Sequence, residues 1–151
     1  MAIGTFTELK TAMANWMARS DLTDRLPEFI QLGEARINRE AETRSQEKRA
    51  TAALTADDGY VSLPTDLRTI RHVKLNTNPI TNLVFMSPRM IDKEYASTGT
   101  GKPKAYSIVG TEVLFRPIPD SAYTAEILYL ASIDALGDST ATNTFLTRHP
   151  D

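Results

Sequence analysis

The stretch Thr51-Ala52-Ala53-Leu54-Thr55-Ala56-Asp57-Asp58-Gly59-Tyr60-Val61-Ser62-Leu63-Pro64 decides how the chain is read, because the character of the sequence changes there. Before it, apolar residues recur at helical spacing. Within it, two short runs, Ala52–Leu54 and Tyr60–Leu63, flank Asp58-Gly59, a strong hairpin signal because Gly tolerates positive φ. Leu63-Pro64-Thr65-Asp66 ends that hairpin.

Upstream, two helices are expected. Thr5 caps the first, and Glu8 three residues later completes a capping box. Phe6, Leu9, Met13, Trp16 and Met17 give it an apolar face, and Ser20-Asp21 breaks it. The second helix starts near Thr23 or Pro27, with Pro27 in the first turn where a missing N–H costs nothing, and runs to the mid-forties. Leu26, Phe29, Ile30, Gly33 and Ile37 share one face. Gly33 is a poor helix residue, so close approach of the first helix is expected there. The far end, Arg36 to Arg49, is dense in both signs, with Arg36–Glu40 and Glu40–Arg44 at helical pairing distance. A helix of about 20 residues spans about 30 Å.

Downstream the pattern is strand-like. Leu67–Leu75 carries Arg68, His72 and Lys74 on one side and Val73 and Leu75 on the other. After a turn at Asn76-Thr77-Asn78-Pro79, Ile80–Met86 reads as another strand. Ser87-Pro88 opens a short helix with Ser as cap, burying Ile91 and Tyr95. Ala105–Val109 and Glu112–Arg116 form a hairpin around Gly110. Thr124–Ala131 is the last strand, and its apolar run Ile127–Leu130 predicts cover on both faces. Asp134–Asn143 is polar and loop-like. Strands do not alternate with crossover helices, so the fold class is α+β: a helical hairpin with a long second helix, then an antiparallel β domain holding one short helix. The expected organisation is a helical region over 1–49, a β-rich domain over 50–133 and a polar tail over 134–151. Neither an internal repeat nor a low-complexity tract is visible.

Composition narrows the function classes. A net charge of −2 over 151 residues argues against a dedicated nucleic-acid gripper, which is usually strongly basic. It leaves open a protein that DNA merely passes through. Having no cysteine, the chain has no disulfide, thiol nucleophile or cysteine-based zinc site. No apolar run approaches the roughly 20 residues that span a bilayer, and no membrane partner is expected. Gly99-Thr100-Gly101-Lys102 has the wrong spacing for a phosphate loop and runs into Pro103. His72 and His149 lack helical pairing or Cys partners. Asp57-Asp58 reads as turn chemistry, and no nucleophile elbow is present. Neither a catalytic residue, a metal nor a cofactor is expected, and a hydrolase built on Asp and His is the weakest reading. The charged run is the most informative feature. Its mixed signs suit protein–protein matching better than phosphate gripping, which makes Arg36, Arg39, Glu40, Arg44, Lys48 and Arg49 the interface candidates.

Three groups of residues, in order, carry a resemblance. They are Leu26-Pro27-Glu28-Phe29-Ile30-Gln31-Leu32-Gly33-Glu34-Ala35-Arg36-Ile37-Asn38-Arg39-Glu40; Leu54-Thr55-Ala56 with Tyr60–Leu67; and Lys102-Pro103-Lys104-Ala105-Tyr106 with Leu114–Asp120 and Ala125–Tyr129. Together they resemble the head-to-tail adaptor, or connector, proteins of tailed bacteriophages, the group related to tail tubular A proteins. The resemblance implies a structural virion protein made in the host cytoplasm. It implies a homo-oligomeric ring, a dodecamer, at the head–tail junction. The portal protein and a tail or nozzle protein would be its partners, with genomic DNA passing through the lumen. Proteins of that group continue past the equivalent of Thr147–Asp151 into a further helix, for which Pro150 would be the first residue. The alternative is a protein-interaction module outside any virion with the same helix-plus-sheet layout.

Overall fold

The computed structural model describes residues 3–19, 21–96 and 99–148. The expectations placed on Ser20, His149 and Pro150 lie outside the described residues. Contacts divide the chain into two units. One comprises the residues up to Gln46 together with those from Ser132 onward, and the other is Glu47–Ala131.

The helical unit begins with α1 (Phe6–Met17). The capping box forms as expected: Thr5 Oγ1 accepts from Glu8 N at 3.2 Å, and Glu8 Oε2 accepts from Thr5 N at 3.0 Å. The helix ends where Ala18 turns left-handed at φ 50°. A 3-10 turn at Thr23–Arg25 leads into α2 (Leu26–Glu40), with Pro27 in its first turn.

The second helix therefore stops short of the mid-forties. Ala41 is already extended, and Arg44–Gln46 form a separate 3-10 turn. Local side-chain chemistry competes with the helix here: Gln46 Oε1 accepts from Thr43 N at 2.8 Å, and Thr43 O accepts from Gln46 N at 3.0 Å. With no helix beyond Glu40, the Glu40–Arg44 pairing loses its scaffold. Arg36–Glu40 forms at 3.2 Å. Gly33 is not a close-approach site either. Nothing lies within 4 Å of where its Cβ would be.

The segment from Ser132 is more than a polar loop, because it makes the third wall of this unit. Asn38 of α2 holds it reciprocally, accepting from Ile133 N at 2.7 Å and donating to Ile133 O at 3.2 Å. One turn earlier, Glu34 accepts from Leu136 N at 3.1 Å and from Asn143 Nδ2 at 2.9 Å. The start of α1 joins in, with Phe6 N donating to Ala141 O at 2.7 Å. Short helix α4 (Thr144–Arg148) follows, its first turn organised by Asn143, whose Oδ1 accepts from Leu146 N at 3.0 Å. Phe6, Ile30, Leu136 and Leu146 are the buried centre.

The β unit holds two four-stranded sheets and one helix. The first sheet has the order β1 (Glu47–Leu54), β8 (Tyr123–Ala131), β3 (Leu67–Leu75), β4 (Thr81–Asn82). The second has the order β2 (Tyr60–Ser62), β7 (Glu112–Arg116), β6 (Ala105–Val109), β5 (Val84–Phe85). Leu54, Val73, Leu75, Ala125 and Ile127 from the first sheet meet Val113, Phe115 and Tyr106 from the second in one core. Helix α3 (Pro88–Glu94) covers the other face of the second sheet by packing Ile91 on Ala105 and Leu114.

Several local expectations need correction. The hairpin around Asp58-Gly59 does not form. β1 pairs with β8, while β2 pairs with β7 in the opposite sheet. The turn docks on residues 115–119 instead: Asp57 N donates to Pro119 O at 2.9 Å, and Phe115 N donates to Gly59 O at 2.8 Å. Gly59 eases this approach: a Cβ would sit 3.3 Å from Phe115 O and would displace the end of the Arg116 side chain, 2.6 Å away. The positive φ falls on Asp57, at 65°.

Ile80–Met86 is likewise two strands. Buried Leu83 is the crossing point, donating back to Val73 O at 3.0 Å, while Val84 N reaches Lys104 O at 3.0 Å. The β5–β6 pair is parallel, as is an isolated bridge between Thr100 and Ile118, whereas the other strand pairs of the unit are antiparallel. Ser87 occupies the cap position of α3 without a side-chain hydrogen bond. Around Gly110, at φ 63°, the β6–β7 hairpin forms as read. β8 is an interior strand of its sheet, and Leu130 is buried on the face opposite Ile127 and Tyr129, yet Leu128 stays exposed.

Candidate interaction surfaces

The six charged candidates do not share one helical face. Arg36, Arg39 and Glu40 lie on α2, Arg44 starts the 3-10 turn, and Lys48 and Arg49 lie on β1. The last two belong to charge clusters of the β unit. Lys48 Nζ contacts Asp66 Oδ2 at 2.8 Å, and Asp66 Oδ1 accepts from Tyr129 OH at 3.0 Å. Hydrogen bonding from Lys48, with Tyr129 adding, holds the Asp66 carboxyl below its usual range, and burial with the Asp66 contact pushes the Tyr129 phenol up. Glu126 receives Lys74 at 3.0 Å and Arg49 at 3.8 Å, and its pKa is lowered chiefly by the Lys74 hydrogen bond.

Apolar surface is the feature the sequence reading missed. In the helical unit a cavity of about 270 Å³ opens between α1, α2 and the returning segment, lined by Leu9, Met13, Phe29, Ile30, Gly33, Ile37 and others. The space left at Gly33 is part of it. Beside it a hollow of about 310 Å³ runs along α1 to Trp16 and Met17. Trp16 is 95% exposed, Leu32 68% and Phe29 55%. A surface of this kind marks a contact site more often than a tolerated accident. Helical periodicity identified the apolar faces, but it could not tell a face covered by its own chain from one left open.

The β unit also exposes apolar side chains, Ile80, Val84, Phe85 and Met90 each by more than half. It also has a groove of about 670 Å³ at one end of the sandwich, bordered by Leu63, residues 67–71 of β3, Phe85, Tyr106, Ile108 and Gly110.

The residues examined for chemistry have structural places. Asp58 accepts from the backbone of Tyr60 at 3.0 Å. Gly101 N donates to Ile118 O at 2.7 Å, which fixes the Gly99–Pro103 loop against the rest of the unit. Among the described residues, no group of three or more His, Asp or Glu side chains is placed to hold a metal, and no helix is long and apolar enough to cross a membrane.

The geometry thus consists of contact surfaces. A family model for the SU10 adaptor protein matches residues 4–151. The chain belongs to the SU10 adaptor protein family. This is a phage adaptor family of structural proteins, so the adaptor reading holds at that level. No curated protein matches the adaptor chain. Family membership gives the exposed surfaces a purpose in kind: an adaptor works by being held between other proteins, and open apolar faces are what such contacts consume.

Proposed function

We propose that the adaptor assembles into a ring, a dodecamer, at the head–tail junction of a tailed phage virion, between the portal protein and a tail or nozzle protein. It would belong to the tail tubular A-like group, and the genome would pass through its lumen. The family match across residues 4–151 carries this reading.

Two physical arguments support it. A closed ring needs a head-to-tail interface in which one patch meets a different patch on the next copy. The chain exposes unlike apolar surfaces: Trp16, Phe29 and Leu32 on the helices, and Ile80, Val84 and Met90 in the β unit. The charged residues Arg36, Arg39, Glu40, Arg44, Lys48 and Arg49 would set register at such contacts, since charge gives specificity more than affinity. Second, the net charge of −2 suits a conduit. Each neutralised phosphate adds salt-dependent affinity that would hold the DNA back.

Mixing the adaptor with purified portal rings and examining the product by native mass spectrometry and electron microscopy tests the proposal. A stoichiometric second ring on the portal is expected. An adaptor that stays monomeric and ignores the portal would overturn it.

A further inference from the structure

The groove at the end of the β sandwich has a construction that the apolar surfaces lack. A regular strand gives every second side chain to one face. Here five consecutive residues of β3, Leu67 to Arg71, border one groove. The ladder to β8 explains this, because its register slips between Leu67 and Thr69 and again between Ile70 and His72. Such irregularities re-aim side chains and recur next to binding sites. Their result is that Arg68 and Arg71 both border the groove, beside the apolar side chains of Leu67, Ile70, Phe85 and Ile108.

The charge is one-sided. Among the described residues, no carboxylate borders the groove. The adjacent Asp66 is already matched by Lys48 at 2.8 Å and by Tyr129 at 3.0 Å. Both arginines interact within the protein, but a guanidinium offers five N–H donors in a fork that suits carboxylates. At about 670 Å³ the groove has room for a few residues of extended chain, within the roughly 300–1,000 Å³ usual for ligand sites. Phe85 and Tyr106 brace its far wall edge to face, with ring centroids 5.6 Å apart.

We infer that this groove docks an extended acidic segment of a partner protein, with an apolar side chain seated between the sheets and flanking carboxylates on Arg68 and Arg71. A nucleic-acid strand fits less well. A phosphodiester backbone has nothing to place against Leu67, Ile70 and Ile108, and the chain as a whole is acidic. The inference does not depend on the ring, so either can fail alone.

The test uses the full chain and an end-blocked seven-residue peptide with two leucines flanked by aspartates. Its controls are the same peptide with asparagines and a single-stranded oligothymidylate. Binding is followed by calorimetry and by amide chemical shifts. The acidic peptide is expected to bind, to perturb residues 63–71 and 106–108, and to weaken with salt. The asparagine peptide should bind about tenfold more weakly or worse, as loss of charge-assisted hydrogen bonds requires. The Arg68→Gln/Arg71→Gln variant should lose affinity to a similar degree, and Ile108→Asp, an exposed substitution at the groove, should do so by repelling the peptide. Unchanged far-ultraviolet circular dichroism of both variants would tie the loss to the groove. No binding up to millimolar peptide, equal binding of acidic and neutral peptides, or shifts mapping elsewhere would overturn the inference. So would an oligothymidylate that displaces the peptide with equal or higher affinity, which would assign the groove to nucleic acid.

Discussion

The two units solve the same problem, burying apolar residues, to different degrees. In the β unit the core is closed: Leu75, Val113, Phe115 and Ala125 are fully buried between two sheets. In the helical unit, among the described residues, only Phe6, Leu26, Ile30, Leu136 and Leu146 are buried apolar side chains, while a cavity stays open beside them and Trp16 stands almost entirely in solvent. The helical unit replaces part of the missing apolar burial with polar ties from Glu34 and Asn38 to the returning segment. A domain whose core is complete can act as a frame. One whose surface is still apolar is suited to completing its burial in a contact.

The strongest way to break this comparison is to open the closed unit. Phe115 is fully buried at the centre of the β core. Phe115→Ala should cost about 3–5 kcal/mol, from lost transfer free energy and the cavity left behind. Urea unfolding monitored by circular dichroism would measure it. A cost below about 1 kcal/mol would mean the sandwich core is as loosely filled as the helical unit, and the contrast would go.

The polar ties come next. Glu34→Ala leaves the Leu136 amide without its acceptor in a half-buried setting and takes one of two acceptors from Asn143 Nδ2, which keeps Asp134 O. Stranding such a donor costs about 1–3 kcal/mol. Hydrogen exchange should accelerate across residues 132–146 and stay unchanged in β3 and β8. Uniform acceleration in both units would show that they unfold as one body, and exchange unaltered at Leu136 would remove Glu34 as a tie.

Much of this architecture is legible in the sequence where the controlling interactions are local. The capping box of α1 involves Thr5 and Glu8 only, and the β6–β7 turn needs only Gly110. The readings that failed depend on partners far along the chain. Asp58-Gly59 carries good hairpin chemistry, but strand β8, about seventy residues later, claims β1 first. Ile80–Met86 reads as one strand, yet its two halves bond to different sheets because Val73 and Lys104 lie on either side of Leu83. The charged run reads as a continued helix because charged residues favour helix locally, whereas Gln46 turns back on Thr43 and ends it. The contact surfaces were the least legible. Trp16 and Phe29 fall on the correct periodic face, and only tertiary structure shows that nothing in the described chain covers them. The groove beside β3 was invisible for a related reason: a register slip against β8 has no signature in β3 alone.

The smallest expected effect is also the most diagnostic, because the contacts around Glu34 should respond to acid with the opposite sign to those around Asp66 and Glu126. In the β unit, Asp66 and Glu126 have pKa values lowered by their lysine hydrogen bonds. Their unfolded forms bind protons more readily than the folded ones, so their stabilisation is present above the ordinary carboxylate range and disappears as pH falls through the lowered folded values. Glu34 runs the other way. Burial raises its pKa, with the hydrogen bonds from Leu136 and Asn143 offsetting only part of the shift. The folded helical unit therefore holds that proton more tightly. The Glu34 contribution is greatest below its ordinary value of 4.5 and declines as pH rises through the raised folded value. Both effects are modest, since all three carboxylates retain contact with solvent and exposed pairs contribute little. Following hydrogen exchange from pH 7 down through the carboxylate range, after correction for the intrinsic rate, should show residues 132–146 gaining relative protection while β1, β3 and β8 lose it. Glu34→Gln should abolish the gain and leave the loss untouched. A common loss in both units with Glu34 intact would mean that its hydrogen bonds outweigh its burial, and that the helical unit is held by the ionised carboxylate after all.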